Sequence, residues 1–186
     1  MKRVSPWAIA AVSALLPSAV IASAVIAESI EEMTRNAPMV VHGRVGQVQV
    51  QLDEQHGRIF TYADVRVIDV LKGPKVASVL IRTPGGEIAG RGQAVAGAEH
   101  FTAGQDTVLF LEPLPDEPGV WICRALAAGK VDLETSKTGD LRAVRHLEGL
   151  AFFQKGTIHP VHPEDELGAA DAFLTRVRNA VKGGAR

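Results

Sequence analysis

The densest set of side chains able to ligate a metal is His159-Pro160-Val161-His162-Pro163-Glu164-Asp165. Two imidazoles beside two carboxylates match the N/O donors of zinc or another divalent ion, and His146 offers a third nitrogen. The prolines hold this segment extended, which sends His159 and His162 to roughly opposite sides; a helical His-x-x-x-His would share one face. The plainer reading, a surface linker whose Glu164 and Asp165 sit favourably near the start of a final helix, is preferred. A metal-binding protein or metal-dependent enzyme using His159 and His162 is the alternative.

Other reactive groups are sparse. The one cysteine, Cys123, lies in the apolar run Val120-Trp121-Ile122-Cys123 and reads as a buried structural thiol, with Arg124 directed to the opposite strand face. Glu99-His100 would make an acid–base pair only with a third group aligned by the fold. Lys137-Thr138-Gly139 matches one element of penicillin-recognising enzymes, but the chain has no Ser-x-x-Lys to accompany it. Gly-x-Ser-x-Gly and His-Glu-x-x-His are likewise missing from the sequence. The stretch from Pro84 to Gly104 carries glycines at 85, 86, 90, 92, 97 and 104. Backbone N–H groups in such a loop can cradle an anion, yet no Gly-Lys-Ser/Thr is present and no helix pattern follows, so it is not a P-loop. No cofactor is expected. Pro84, Gly85, Gly86, Glu87 and Gly90 are the candidate partner-binding loop, against a plainer reading in which the glycines serve turns.

These residues belong to a chain of 186 residues with 20 Lys+Arg, 21 Asp+Glu, a single cysteine and 5% aromatics. The length suits one domain with a real core. A net charge of −1 leaves no basic footprint for nucleic acid, and nucleic acid is not an expected partner. Trp121, Phe60 and Tyr62 are read as core aromatics rather than a stacking groove. An apolar share of 46% excludes a disordered chain, and one cysteine excludes a disulfide scaffold or a cysteine zinc site.

Lys2 and Arg3 followed by an apolar run to Ala27 form the pattern of a secretory signal peptide over residues 1–27. Ala22-Ser23-Ala24 and Val25-Ile26-Ala27 offer cleavage sites after Ala24 or Ala27. The chain is therefore expected to be secreted or periplasmic, without stable membrane association once the leader is removed.

Downstream, Ser29-Ile30-Glu31-Glu32 reads as a capping box opening a short helix that Asn36-Ala37-Pro38 ends. Period-two patterns then place strands over Met39–Leu52, His56–Leu71 and Val76–Thr83, and shorter ones over 107–112, 120–125 and 129–133. In the first strand Val41, Gly43 and Val45 are odd-numbered, whereas Val48, Val50 and Leu52 are even-numbered. The apolar face therefore switches near Gly46, which calls for a bulge or bend. The second strand switches again between Val67 and Ile68. Residues 140–153 read as partly helical, and Glu166–Lys182 as an amphipathic helix with Leu167, Ala170, Phe173, Leu174 and Val177 on its apolar stripe. The expected fold is mainly β: a small five- to six-stranded OB-like Greek-key barrel over 28–156, with a short N-terminal helix, and an extended linker and C-terminal helix over 157–186.

Three segments also carry a resemblance. Residues 37–45 (Ala-Pro-Met-Val-Val-His-Gly-Arg-Val), 65–73 (Val-Arg-Val-Ile-Asp-Val-Leu-Lys-Gly) and 101–111 (Phe-Thr-Ala-Gly-Gln-Asp-Thr-Val-Leu-Phe-Leu) occur in an order that resembles secreted bacterial domains bearing a Pro-Gly-Gly segment, here Pro84-Gly85-Gly86. Over roughly residues 36–134 the same skeleton is similar to the netrin-like barrel of tissue inhibitors of metalloproteinases. The resemblance implies an OB barrel and a non-enzymatic domain that recognises a protein or cell-envelope partner, an extracellular protease among them by analogy. A purely structural envelope component is a further alternative. Those inhibitors act through an N-terminal cysteine and are held by disulfides. Neither Val25 nor Glu28 supplies that chemistry, so the inhibitory wedge carries over to no residue here.

Overall fold

The computed structural model describes residues 22–184; most of the expected leader lies outside them. The chain is mainly β, with one helix near each end of the described residues. Helix α1 (Ile30–Asn36) begins at the expected capping box. Ser29 Oγ accepts from Glu32 N–H at 3.2 Å, and Glu32 Oε2 accepts from Ser29 N–H at 2.9 Å. Its other end is closed from a distance: Lys72 Nζ donates to the carbonyls of Thr34, Arg35 and Ala37 at 2.9, 2.7 and 2.7 Å. A cation on the last carbonyls of a helix satisfies orphan acceptors and opposes the dipole, which gives the lysine of the Lys72-Gly73 turn a structural task.

Five strands form a ring. β2 (Met39–Asp53) pairs β3 (Arg58–Lys72), β3 pairs β4 (Ser78–Pro84), and β4 pairs β8 (Val120–Cys123) in parallel. β8 pairs β7 (Asp106–Pro113), which returns to β2. The far edge of β7 is shared. Its second half holds β8, and its first half holds β9 (Lys130–Thr135), from which the sheet continues to β10 (Leu141–His146) and β13 (Glu164–Ala169). β1 (Ser23–Ile26), β11 (Leu150–Gln154) and β12 (Thr157–Pro160) make a separate sheet, and β5 (Gly86–Ile88) with β6 (Arg91–Gln93) a small hairpin.

The face switches occur where the pattern places them. Val45 pairs Val65 but Val48 pairs Ala63, so an extra residue is accommodated at Gly46-Gln47. His42 pairs Asp69 and Gly43 pairs Val67, which leaves Ile68 as the extra residue of β3. Alternation also explains the unbroken apolar runs Met39–Val41 of β2 and Val108–Leu111 of β7, because these stretches are buried on two faces. Val41, Leu109 and Leu111 fill the ring interior with Val65, Ile81 and Cys123, whereas Val40, Val108 and Phe110 pack outward against α1, β9 and α2 (Ala170–Gly183).

Three expectations are corrected. Residues 140–153 are strands β10 and β11, not helix. Ala143 and Arg145 are buried while their neighbours are less so, a period of two, and Gly149 at φ +73° ends the run. The last helix starts at Ala170 rather than Glu166, because Glu164–Glu166 pair with β10 and Gly168 turns the chain at φ +96°. The described residues hold thirteen strands, more than five or six, the surplus lying in segments read as leader, turn, linker or helix.

The leader reading also meets structure. Ser23–Ile26 run parallel to Leu150–Phe153, and Val25 packs on the outer core. Cleavage after Ala27 removes β1, whereas cleavage after Ala24 leaves Val25 and Ile26 paired. A chain beginning at Ser23 is expected to exceed one beginning at Glu28 by about 1–2 kcal/mol in urea unfolding, the burial of roughly one valine with its strand.

Glu28 itself is anchored. It accepts from Arg124 Nε and Nη2 at 2.7 and 2.9 Å and from Asn36 Nδ2 at 2.6 Å. The Arg124 hydrogen bonds hold its carboxyl below the usual range. That contribution is present above the ordinary glutamate value and is lost as pH falls through the lowered one. Glu28→Gln is expected to cost about 1 kcal/mol near neutrality and nothing at the acid end, read as a pH series of urea midpoints.

Candidate functional site: an acidic cavity beside the barrel

A cavity of about 520 Å³ opens between the 94–105 segment and the β9–β10 part of the sheet. One wall is Val95 to His100, with Gly97 at φ +73°. A Cβ on Gly97 would lie 2.2 Å from Leu150 Cδ2, so glycine lets this wall lie against β11. The opposite wall carries Lys130, Asp132, His146 and Glu148. Lys130 and Asp132 share one face of β9, two residues apart, while Val131 between them enters the apolar core. Ser23 binds this region at both walls, donating Oγ to Ala96 O at 2.6 Å and N–H to Gly149 O at 2.8 Å.

The charges are unusually deep. Lys130 is 6% exposed and Asp132 1%, and Lys130 Nζ donates to both Asp132 oxygens at 2.6 and 2.5 Å. Burial pushes the Asp132 carboxyl up, against the pull of Lys130. His146 Nε2 stands 2.8 Å from Glu134 Oε1 and 3.9 Å from Asp132 Oδ2. Burial disfavours its imidazolium, but the Glu134 hydrogen bond and the fields of Glu134, Asp132 and Glu148 outweigh that and raise its pKa.

Glu99 is 4% exposed, and its Oε2 has no hydrogen-bond partner. Desolvation pushes this carboxyl up, opposed by Thr83, Cys123 and Lys130. Cys123 is buried as expected, and burial followed by the Glu99 charge pushes its thiol well above the ordinary range. A thiol held protonated inside the ring is no nucleophile. Arg124 departs to the other side, to Glu28 and Glu112.

The residues singled out from sequence lie elsewhere, apart from His146 and Glu99-His100. Gly85 and Gly86 are built into the barrel wall. Gly85 N–H donates to Ile59 O at 2.8 Å, and its carbonyl accepts from Thr61 Oγ1 at 2.8 Å. A Cβ on Gly86 would meet Thr61 Oγ1 at 2.7 Å and Val50 Cγ1 at 2.8 Å, and φ is +135°. Both glycines therefore have a packing reason, and Pro84 ends β4 opposite Phe60. Glu87 and Gly90 are exposed on the β5–β6 hairpin. His159 is exposed on β12, and the exposed His162 takes its Nδ1 hydrogen bond locally, at Glu164. Among the described residues, the one group of three or more potential ligands is Asp132, Glu134 and His146.

Of the aromatics read as core, Trp121 packs against the ring interior, whereas Phe60 and Tyr62 are half-buried beside it. The Arg82 guanidinium lies 4.4 Å from the centroid of Phe60, and Tyr62 bonds Glu117 at 3.2 Å. Nothing in the sequence sets Lys130, Asp132 and Glu134 apart, because charges alternating with Val131 and Leu133 are the ordinary pattern of a strand with one wet face. No known family model and no curated protein matches this chain. No helix among the described residues is long and apolar enough to cross a membrane.

Proposed function

We propose that the chain is an exported, non-enzymatic binding domain on an OB-like barrel, recognising a protein or cell-envelope partner through the acidic cavity. The ring order β2-β3-β4-β8-β7, with its single parallel step between β4 and β8, supports the OB-like reading and the likeness to netrin-like inhibitors. The observation that carries the function is the cavity, where the 94–105 segment forms one wall and buried charge forms the other. Keeping Glu99 and the Lys130–Asp132 pair away from water costs stability, a cost more often found at sites that bind than in inert cores. Cys123 supplies no reactive thiolate, which favours binding over covalent chemistry. An extracellular protease is the partner class that the resemblance favours.

The test is affinity capture from periplasm or culture medium with the intact domain and two variants. Ala98→Trp fills the cavity and is expected to abolish capture, whereas Glu87→Ala at the hairpin probes the loop of the sequence reading. Capture that survives Ala98→Trp overturns the cavity's role, and capture lost only with Glu87→Ala returns it to the hairpin.

A further inference from the structure

We propose that Asp132, Glu134 and His146 form a binding site for a divalent transition-metal ion of the zinc type, opening on the acidic cavity. One donor atom from each lies within 4.8 Å of the others, with His146 Nε2 only 2.8 Å from Glu134 Oε1. Tetrahedral ligands about 2.1 Å from zinc stand about 3.4 Å apart, so rotation of two side chains closes the set. The donors are one imidazole and two carboxylates on adjacent paired strands, a rigid base for coordination.

Glu99 is the independent observation. It lines the same cavity from the opposite wall, and its Oε2 is buried without a partner. A carboxylate oxygen left so is accounted for when a cation or its bound water shares the cavity. Charge points the same way. Asp132, Glu148 and Glu99 line the cavity with Lys130, and Glu134, which reaches His146 from the next groove, makes no ion pair with lysine or arginine among the described residues. Lys130 already holds Asp132, which makes Glu134 and His146 the principal ligands and Asp132 the weaker third. Three protein ligands leave a coordination position facing the cavity, where a carboxylate or other Lewis base of a partner would bind.

The inference goes beyond the binding role and is tested apart from it. The purified full chain, stripped with chelator, is titrated with zinc chloride by calorimetry. One equivalent is expected to bind. Glu134→Gln and His146→Gln sit at half-exposed positions and should each weaken binding at least tenfold, while the His159→Gln/His162→Gln double variant retains it. Manganese added to the unmodified protein should broaden amide resonances near 132–134 and 146 in preference to those near 159–162, a readout independent of variant folding. Absence of stoichiometric zinc, or binding lost with His159 and His162 but kept without His146, overturns the site. Loss of metal with partner capture intact removes this inference and leaves the binding role standing.

Discussion

Lys130→Met is expected to destabilise the protein by about 3–5 kcal/mol, because it leaves the Asp132 carboxylate buried without its cation. Asp132 is 1% exposed and receives both ammonium hydrogen bonds from Lys130. The defect carries a pH signature. With its partner gone, the Asp132 pKa rises further, so the deficit is full at neutral pH and shrinks as acid protonates the carboxyl. Lys130→Met/Asp132→Leu should recover most of the loss, since an apolar pair of similar volume is often no worse than a buried ion pair. Urea midpoints for the single and double variants decide the matter. A single variant within 1 kcal/mol of the parent would mean that the pair is solvated in solution.

The second large effect concerns the last helix. Phe173→Ala should cost about 3–5 kcal/mol and leave one cooperative unfolding transition. Phe173 is 1% exposed and packs in the cluster that contains Ile30, Met33 and Val108 and Phe110 of β7. The helix therefore closes the outer face of the barrel sheet, and Arg176 ties it to Glu31 of α1 at 2.5 and 2.9 Å. A separate early transition, or a loss under 1 kcal/mol, would show instead an appendage joined by a linker.

Local signals in the chain proved readable because local physics decides them. The Ser29 capping box, the Gly46 bulge and the extra residue at Ile68 each follow from contacts within a few residues or from the pleat of a strand. Errors arose where distant chain supplies the partner. Residues 140–153 mix Leu, Ala and Val with Arg and His in a way that suits a helix, until pairing with β9 and β13 selects the period of two. Lys130 and Asp132 resemble a solvated strand face, and only the 94–105 segment, some thirty residues earlier, makes that face a cavity wall. The Gly85-Gly86 pair was conspicuous for a reason that turned out to include packing against Thr61 and Val50. His159 and His162 drew notice by density alone, while the ligand set that converges joins two strands and includes just one histidine, His146.

The proposed role of the cavity in recognition is tested most directly by photo-crosslinking in cells that express the full chain. A photoreactive amino acid replaces Ala98 at the cavity wall in one sample and Gly139 in an exposed turn in the other. The account predicts a discrete adduct from position 98 and none from position 139. No adduct at 98, or equal adducts at both positions, would contradict it.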